Sequence, residues 1–180
     1  MKNSFFLVKK VYRYIQIYGV TWTLFKVAGR FRKIPAGLFF VKRKKPRVGI
    51  IGCGQFSYST TANFLYRRYG NIIHSCFDIN ENAVNSFAKS LRIKNSYTNF
   101  DDFASNKLDV VYIASNHSTH TDYAINLIDQ GIKKIYIEKP IAVNEQQLKS
   151  PFEAKIYLVN VLINVNIVKQ DLLNKKQFLK

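Results

Sequence analysis

Cysteine is scarce in this chain of 180 residues: Cys53 and Cys76 are the only two. With no framework spacing they exclude a disulfide scaffold and read as free thiols in a reducing, cytoplasmic compartment. Acid is missing from the first part of the chain. Positions 1–77 hold fifteen Lys and Arg and no Asp or Glu, whereas positions 78–180 hold thirteen basic and eleven acidic residues. The net charge of +17 thus belongs mostly to the N-terminal half. Long hydrophobic runs are missing too: before Lys9 only Phe5 to Val8 is continuously apolar, too short for a signal-peptide core or a membrane span. A basic half often serves nucleic acid or an anionic membrane surface. No zinc-ligand spacing, RNP-like aromatic strand or helix-turn-helix pattern accompanies this one, so no nucleic-acid partner is expected. No internal repeat is visible.

What is present suits one globular domain with a core plus additional segments, since 47% of residues are hydrophobic and 22% charged. Three zones follow one another. Residues 1–46 are aromatic and basic; Leu7, Val11, Tyr14, Ile15, Tyr18, Trp22, Phe25 and Val27 recur at spacings of three or four, which predicts an amphipathic helix interrupted near Gly19. Pro35-Ala36-Gly37 ends that pattern, and Lys42-Arg43-Lys44-Lys45-Pro46 reads as a solvated linker. Residues 47–150 alternate strands (47–52, 72–78, a weak one at 94–97, 109–114, 133–138) with helices (56–68, 82–91, 119–130), the rhythm of a doubly wound parallel sheet of the α/β class. Residues 151–180 change character, rich in Lys, Asn, Ile, Leu and Val, with 155–159 as a candidate sixth strand.

Chemistry enters at Gly52. Val48-Gly49-Ile50-Ile51 runs into Gly52-Cys53-Gly54-Gln55-Phe56-Ser57, a strand that breaks into paired glycines and then a helix, and Asp78 closes the next strand. A dinucleotide site needs this combination, because the backbone must come within hydrogen-bonding reach of a pyrophosphate and a carboxylate must await the ribose. The same glycine pair can be an ordinary turn, and Asp78 can serve the turn before Asn80-Glu81-Asn82. As a ribose ligand Asp78 would repel a 2′-phosphate, and no Arg or Lys follows it before Lys89, so NAD is favoured over NADP.

Two further strand ends carry polar clusters. Ser115-Asn116-His117-Ser118-Thr119-His120 follows the strand at 109–114 and opens a helix, with Ser118 and Thr119 also readable as simple N-caps. His117 and His120 are not spaced to hold a metal and no third ligand can be named, so no metal site is expected. Glu138-Lys139-Pro140 ends the strand at 133–138. It is either a surface salt bridge before a strand-stopping proline or a lysine placed to polarise a substrate oxygen.

Together the glycine loop, Asp78, the stretch Ile113 to His120 and Glu138-Lys139-Pro140-Ile141 resemble the N-terminal half of the Gfo/Idh/MocA oxidoreductases, the group of glucose-fructose oxidoreductase and inositol dehydrogenase. The resemblance covers residues 47 to about 149. It implies a Rossmann domain for NAD or NADP followed by a larger substrate domain, and hydride exchange with a sugar, cyclitol or sugar derivative. Residue by residue it implies Gly52, Cys53, Gly54, Gln55 and Phe56 at the pyrophosphate and Asp78 at the adenosine ribose. Ser115, Asn116, His117 and His120 then line the cofactor cleft with Glu138 and Pro140, and Lys139 faces nicotinamide and substrate as the catalytic candidate.

Two departures from the family pattern stand out. Ser57 occupies a position that is commonly Gly or Ala, and nothing after about residue 150 matches the substrate domain. A truncated product or an altered reading frame is therefore expected, inactive alone and prone to self-association or homo-oligomer formation. The rival expectations are a non-catalytic NAD-binding or scaffold subunit docking on a partner or membrane, and a degraded gene product without a role. For residues 1–46 two readings stand side by side: peripheral membrane contact, as in similar extensions of family members tied to polysaccharide biosynthesis and activated sugars, or a helix packed on the Rossmann domain.

Overall fold

A computed structural model describes residues 2–148 and 160–164. The chain opens with two helices, α1 (Lys2–Tyr18) and α2 (Val20–Phe31), separated at Gly19, whose φ of 82° lies where side chains with a Cβ are strained. A 3-10 turn, Ala36–Phe39, leads through the basic linker to β1 (Val48–Ile51). A π-wound segment, Ser57–Ala62, runs directly into α3 (Asn63–Tyr69). There follow β2 (Ile73–Phe77), α4 (Glu81–Leu91), β3 (Asn95–Tyr97), α5 (Phe100–Ala104) and β4 (Val110–Ile113). A 3-10 turn, His117–Thr119, then precedes α6 (His120–Asp129), β5 (Lys134–Glu138), α7 (Glu145–Leu148) and β6 (Asn160–Asn164).

The six strands form one parallel sheet in the order β3-β2-β1-β4-β5-β6. This is the doubly wound Rossmann arrangement. Strand alternation divides the core between its two faces. Val48 and Ile50 join Tyr58, Leu65, Tyr66, Val84, Phe87 and Leu91 on one side, while Ile51 joins Phe77, Phe103, Val111, Ile113, Leu127 and Ile135 on the other. At the amino end of the central pair, Asp109 ties β4 to β1. Its backbone N–H donates to the Arg47 carbonyl (2.9 Å) and its carboxylate accepts the Arg47 N–H (2.7 Å).

Most expected elements are present with ends trimmed by a residue or two. The helix expected at 56–68 is π-wound over its first half, and α5 and α7 were not anticipated. Asn99, which caps α5 by accepting the Asp101 and Asp102 N–H groups, and the two acids in its first turn were the legible signals for that helix. The strand expected at 155–159 lies outside the described residues; the sixth described strand is Asn160–Asn164.

The N-terminal segment divides in two. Phe25 and Ala28 of α2 are buried in the first core face, Phe25 lying 5.9 Å from the Tyr58 ring and 6.2 Å from the Tyr66 ring. Gly29 permits the approach, because a Cβ there would meet the Tyr58 ring at 2.7 Å. Helix α2 is therefore a second layer over the helices that cover the sheet, which favours the packed reading for that part of the extension. Helix α1 stays outside, with Phe6, Leu7, Val8, Tyr12 and Ile17 exposed and Lys26 of α2 seated 5.0 Å from the Tyr14 ring.

Two outcomes follow. Phe25→Ala is expected to lower unfolding stability by about 3 kcal/mol in urea denaturation, while Leu24→Ala on the exposed side of the same helix shifts it by less than about 0.5. Equal effects would contradict the packing of α2. Asp109, held by the Arg47 backbone N–H, has its pKa lowered from 3.8, so its stabilisation is present above the ordinary aspartate value and is lost as pH falls through the lower folded value. The melting-temperature gap between the native chain and Asp109→Ala is expected to close as pH drops below 3.8; a gap that persists into strong acid would show that the tie is not electrostatic.

Candidate functional site

Register brings the strand ends level. Ile51 pairs with Phe77 on one side and Ile113 on the other, and Ile113 pairs with Ile137. The residues that follow, Gly52, Asp78 and Ala114, therefore leave three adjacent strands at one height, level with Glu138 at the end of β5. Between β1 and β4 the chain's crossovers diverge to opposite sides, and this crevice at the carboxyl edge is where ligands bind in open α/β sheets.

The glycine loop is built for close approach. Gly52 has φ 90°, donates its N–H to the Phe77 carbonyl (2.9 Å), and lies so near the Ala114–Ser115 backbone that a Cβ would collide with it. Gly54 faces the opposite situation: a Cβ there would meet nothing within 4 Å, so the loop leaves open space at the start of the following helix. Beside that space, Asp78 accepts the Cys53 backbone N–H through Oδ2 (2.7 Å) and the Asn80 N–H through Oδ1 (2.9 Å). Two backbone donors fix its carboxylate while leaving further lone pairs for hydroxyl donors. An open glycine cradle next to a fixed acceptor has the donor and acceptor set that a dinucleotide requires.

The remaining predicted residues take distinct places. Cys53 is buried, and its hydrogen bond with Cys76, then burial, push its thiol far up, so it is neutral and unreactive. The Gln55 side chain points to the extension, donating to the Lys26 carbonyl (3.1 Å), which leaves only its backbone for the loop. Phe56 is 41% exposed and lines a small cleft with Tyr112, Tyr136 and Glu138. The Ser115 and Thr119 hydroxyls lie 2.9 Å apart, and Asn116 caps the 3-10 turn by accepting the Ser118 N–H (3.2 Å). His117 is exposed, its ring edge-on to His120 at 5.5 Å.

His120 is fully buried and bridges two loops: Nδ1 lies 2.8 Å from the Pro140 carbonyl oxygen and Nε2 3.2 Å from that of Ser115. Thr121 adds a second tie by donating to the Ile141 carbonyl (2.8 Å). These contacts hold the turn that carries Lys139, which is exposed and precedes Pro140 through a cis peptide bond. Glu138 is half-buried; burial pushes its carboxyl up, opposed by Lys139, His120 and His117. Among the described residues no group of three His, Cys, Asp or Glu could hold a metal ion.

One residue at the site was not legible. Arg32, just beyond α2, reaches the glycine loop and donates from Nη2 to the Cys53 carbonyl (2.7 Å). No local signal marks a cation 21 positions before Cys53, because only the packing of α2 brings it there.

The comparisons with known proteins agree with this geometry. Residues 46–157 match the family described as Gfo/Idh/MocA, an oxidoreductase family with an NAD-binding Rossmann fold. The oxidoreductase P35 of Formosa agariphila is 31% identical over 125 residues, which is 69% of this chain and 38% of that protein. Two solved structures share the fold. The WlbA dehydrogenase of Bordetella pertussis, in complex with NADH and UDP-GlcNAcA, has a TM-score of 0.59 at 18% identity, over 68% of this chain and 36% of its own. The scyllo-inositol dehydrogenase of Lactobacillus casei, with bound NAD(H) and scyllo-inositol, has a TM-score of 0.58 at 18% identity, over 67% and 36%. The chain spans little more than a third of the length of each of these relatives. With its Rossmann order, open glycine loop, Asp78 and the Lys139 turn inside the matched region, the chain belongs to the Gfo/Idh/MocA oxidoreductase family.

Proposed function

We propose that this chain carries the dinucleotide-binding half of an oxidoreductase that exchanges hydride with a sugar-like or cyclitol alcohol, and that it takes NAD in preference to NADP. The observation that carries the reading is the open space at Gly54 beside the Asp78 carboxylate, at the switch point of the sheet. The backbone of Gly52 to Phe56 would hold the pyrophosphate, Asp78 the adenosine ribose, and Ser115 to His117 the far wall of the cleft. His120 and Thr121 hold the turn that presents Lys139, Glu138 and Pro140. When bound, the nicotinamide supplies the hydride acceptor or donor. Lys139 places a positive charge at the carboxyl edge, where it favours a developing oxyanion on the substrate. The complex of WlbA with a nucleotide sugar supports an activated sugar as substrate class, and with it a place in carbohydrate or polysaccharide biosynthesis. The groups that take the substrate proton and close the pocket would come from outside the described residues, so we propose that this chain alone is inactive. The unpaired, buried thiols of Cys53 and Cys76 support a reducing, cytoplasmic location.

A second element of the proposal concerns α1. No described helix is long and apolar enough to cross a membrane. Helix α1 exposes Phe6, Leu7, Val8, Tyr12 and Ile17 beside Lys9, Lys10 and Arg13, a composition that favours lying on an anionic lipid surface. The rival role, a non-catalytic subunit docking on a partner, draws on the same face.

Calorimetric titration tests the cofactor assignment. Repulsion between Asp78 and a phosphate about 4 Å away is about 1 kcal/mol per unit charge in water and about 4 at an effective dielectric near 20. NAD is therefore expected to bind about tenfold tighter than NADP or better, and Asp78→Ala to remove or reverse that preference. Equal affinities in the native chain would remove Asp78 from the ribose.

Vesicle co-sedimentation tests α1. Each Lys or Arg near an anionic surface contributes about 1 kcal/mol, so binding is expected to fall steeply with salt and to vanish when residues 1–18 are deleted, with the melting temperature unchanged. A chain that ignores anionic vesicles, or a deletion that melts the fold, would return α1 to a packing role.

A further inference from the structure

We propose that Arg32, which lies outside the family-matched region, is a positioning residue of the dinucleotide site, and that its charge narrows the discrimination against NADP that Asp78 imposes. The inference rests on the dinucleotide reading above and adds to it a residue that the matched region, 46–157, does not contain.

Arg32 follows α2 with φ 52°, a left-handed conformation that strains a residue with a Cβ. The side chain has contacts that compensate. Nε donates to the Gly29 carbonyl (2.8 Å) and Nη2 to the Cys53 carbonyl (2.7 Å), and the guanidinium lies 4.8 Å from the Tyr58 ring centroid and 5.3 Å from that of Phe87. These contacts place a planar cation against the loop between the two glycines.

Cys53 is thereby held from both ends of its own backbone: Asp78 accepts its N–H and Arg32 donates to its carbonyl. Arg32 and Asp78 act on the same loop residue and sense one another's charge; burial lowers the Arg32 pKa, and Cys53, Tyr58 and Asp78 oppose that shift. Among the described residues the guanidinium makes no direct ion pair. Among the described residues its Nη1 is buried and without a hydrogen-bond partner, and Asp78 is the carboxylate whose charge acts on it. The field of the guanidinium therefore extends to the ribose side of Asp78, where a 2′-phosphate would sit. That phosphate meets repulsion from Asp78 and attraction from Arg32, whereas the ribose hydroxyls of NAD are nearly indifferent to the cation. Two separable roles result: the hydrogen bond to Cys53 and attraction of the shared pyrophosphate serve both dinucleotides, and the added attraction on the 2′-phosphate serves only NADP.

The test uses the full chain with NAD and NADP as probes, read by calorimetry beside the melting temperature. In Asp78→Asn, with Arg32 intact, the cation is left unopposed and NADP is expected to bind about fivefold tighter than NAD at low salt, the gap shrinking as salt rises. Equal affinities in that variant would overturn the proposal. Arg32→Gln, neutral but still a donor, is expected to weaken NADP about fivefold more than NAD, while Arg32→Lys keeps the native ratio of the two affinities. If Arg32→Gln weakens both dinucleotides equally, or neither, the residue only buttresses the loop and the charge role fails. Asp78→Asn reads the same charge without altering the packing of Arg32, so a poorly folded Arg32 variant does not shelter the idea. A native chain that binds neither dinucleotide would overturn the parent reading and this one with it.

Discussion

The height at which β1 ends governs everything that happens at the carboxyl edge. Because Ile51 is paired on both sides, with Phe77 and with Ile113, the chain must leave the sheet at Gly52, directly against the Ala114–Ser115 backbone. Only a glycine can make that exit at φ 90° with a neighbouring backbone so close. A slip of one residue in β1 would exchange the two core faces and carry the loop away from Asp78 in the same movement. The apolar sorting of Val48, Ile50 and Ile51 between the two cores therefore fixes the binding geometry as firmly as any polar contact does.

The same constraint explains why so much was legible in the residues. Runs such as Val110–Ile113 and Lys134–Glu138, apolar and bounded by polar clusters, read as buried parallel strands, and their order on the sheet follows from right-handed crossovers. Local signals sufficed for Gly52, Gly54 and Asp78. Helix α5 escaped because five residues are too few to establish a period, although its Asn99 cap and the acids after it were visible. The inward turn of the Gln55 side chain and the reach of Arg32 were beyond local reading for another reason. Both depend on α2 docking across residues 57–69, an event set by Phe25, Ala28 and the missing Cβ of Gly29 rather than by anything near the loop.

The N-terminal extension thus combines two physical characters. Helix α2 has surrendered its apolar face to the core, and with it Gln55 and Cys53 gain partners that the Rossmann domain alone would not supply. Helix α1 keeps Phe6, Val8, Tyr12 and Ile17 exposed among cations, while Tyr14, Tyr18, Trp22 and Lys26 form an aromatic and cation-π chain back to α2. Gly19 separates the two characters. Whatever α1 touches is coupled through one short turn to a helix that ends at the nucleotide loop.

His120 has a consequence for motion. Its ring lies between the carbonyls of Pro140 and Ser115, one from the turn after β5 and one from the turn after β4, and as a neutral imidazole it donates to one of the two. Two loops that would otherwise fluctuate independently are joined by a rigid imidazole with no rotatable bond between its nitrogens. The turn that carries Lys139 is therefore tied to the turn after β4 through His120 and to α6 through Thr121. Displacement of the Lys139 turn is thereby coupled to displacement of the Ser115 turn.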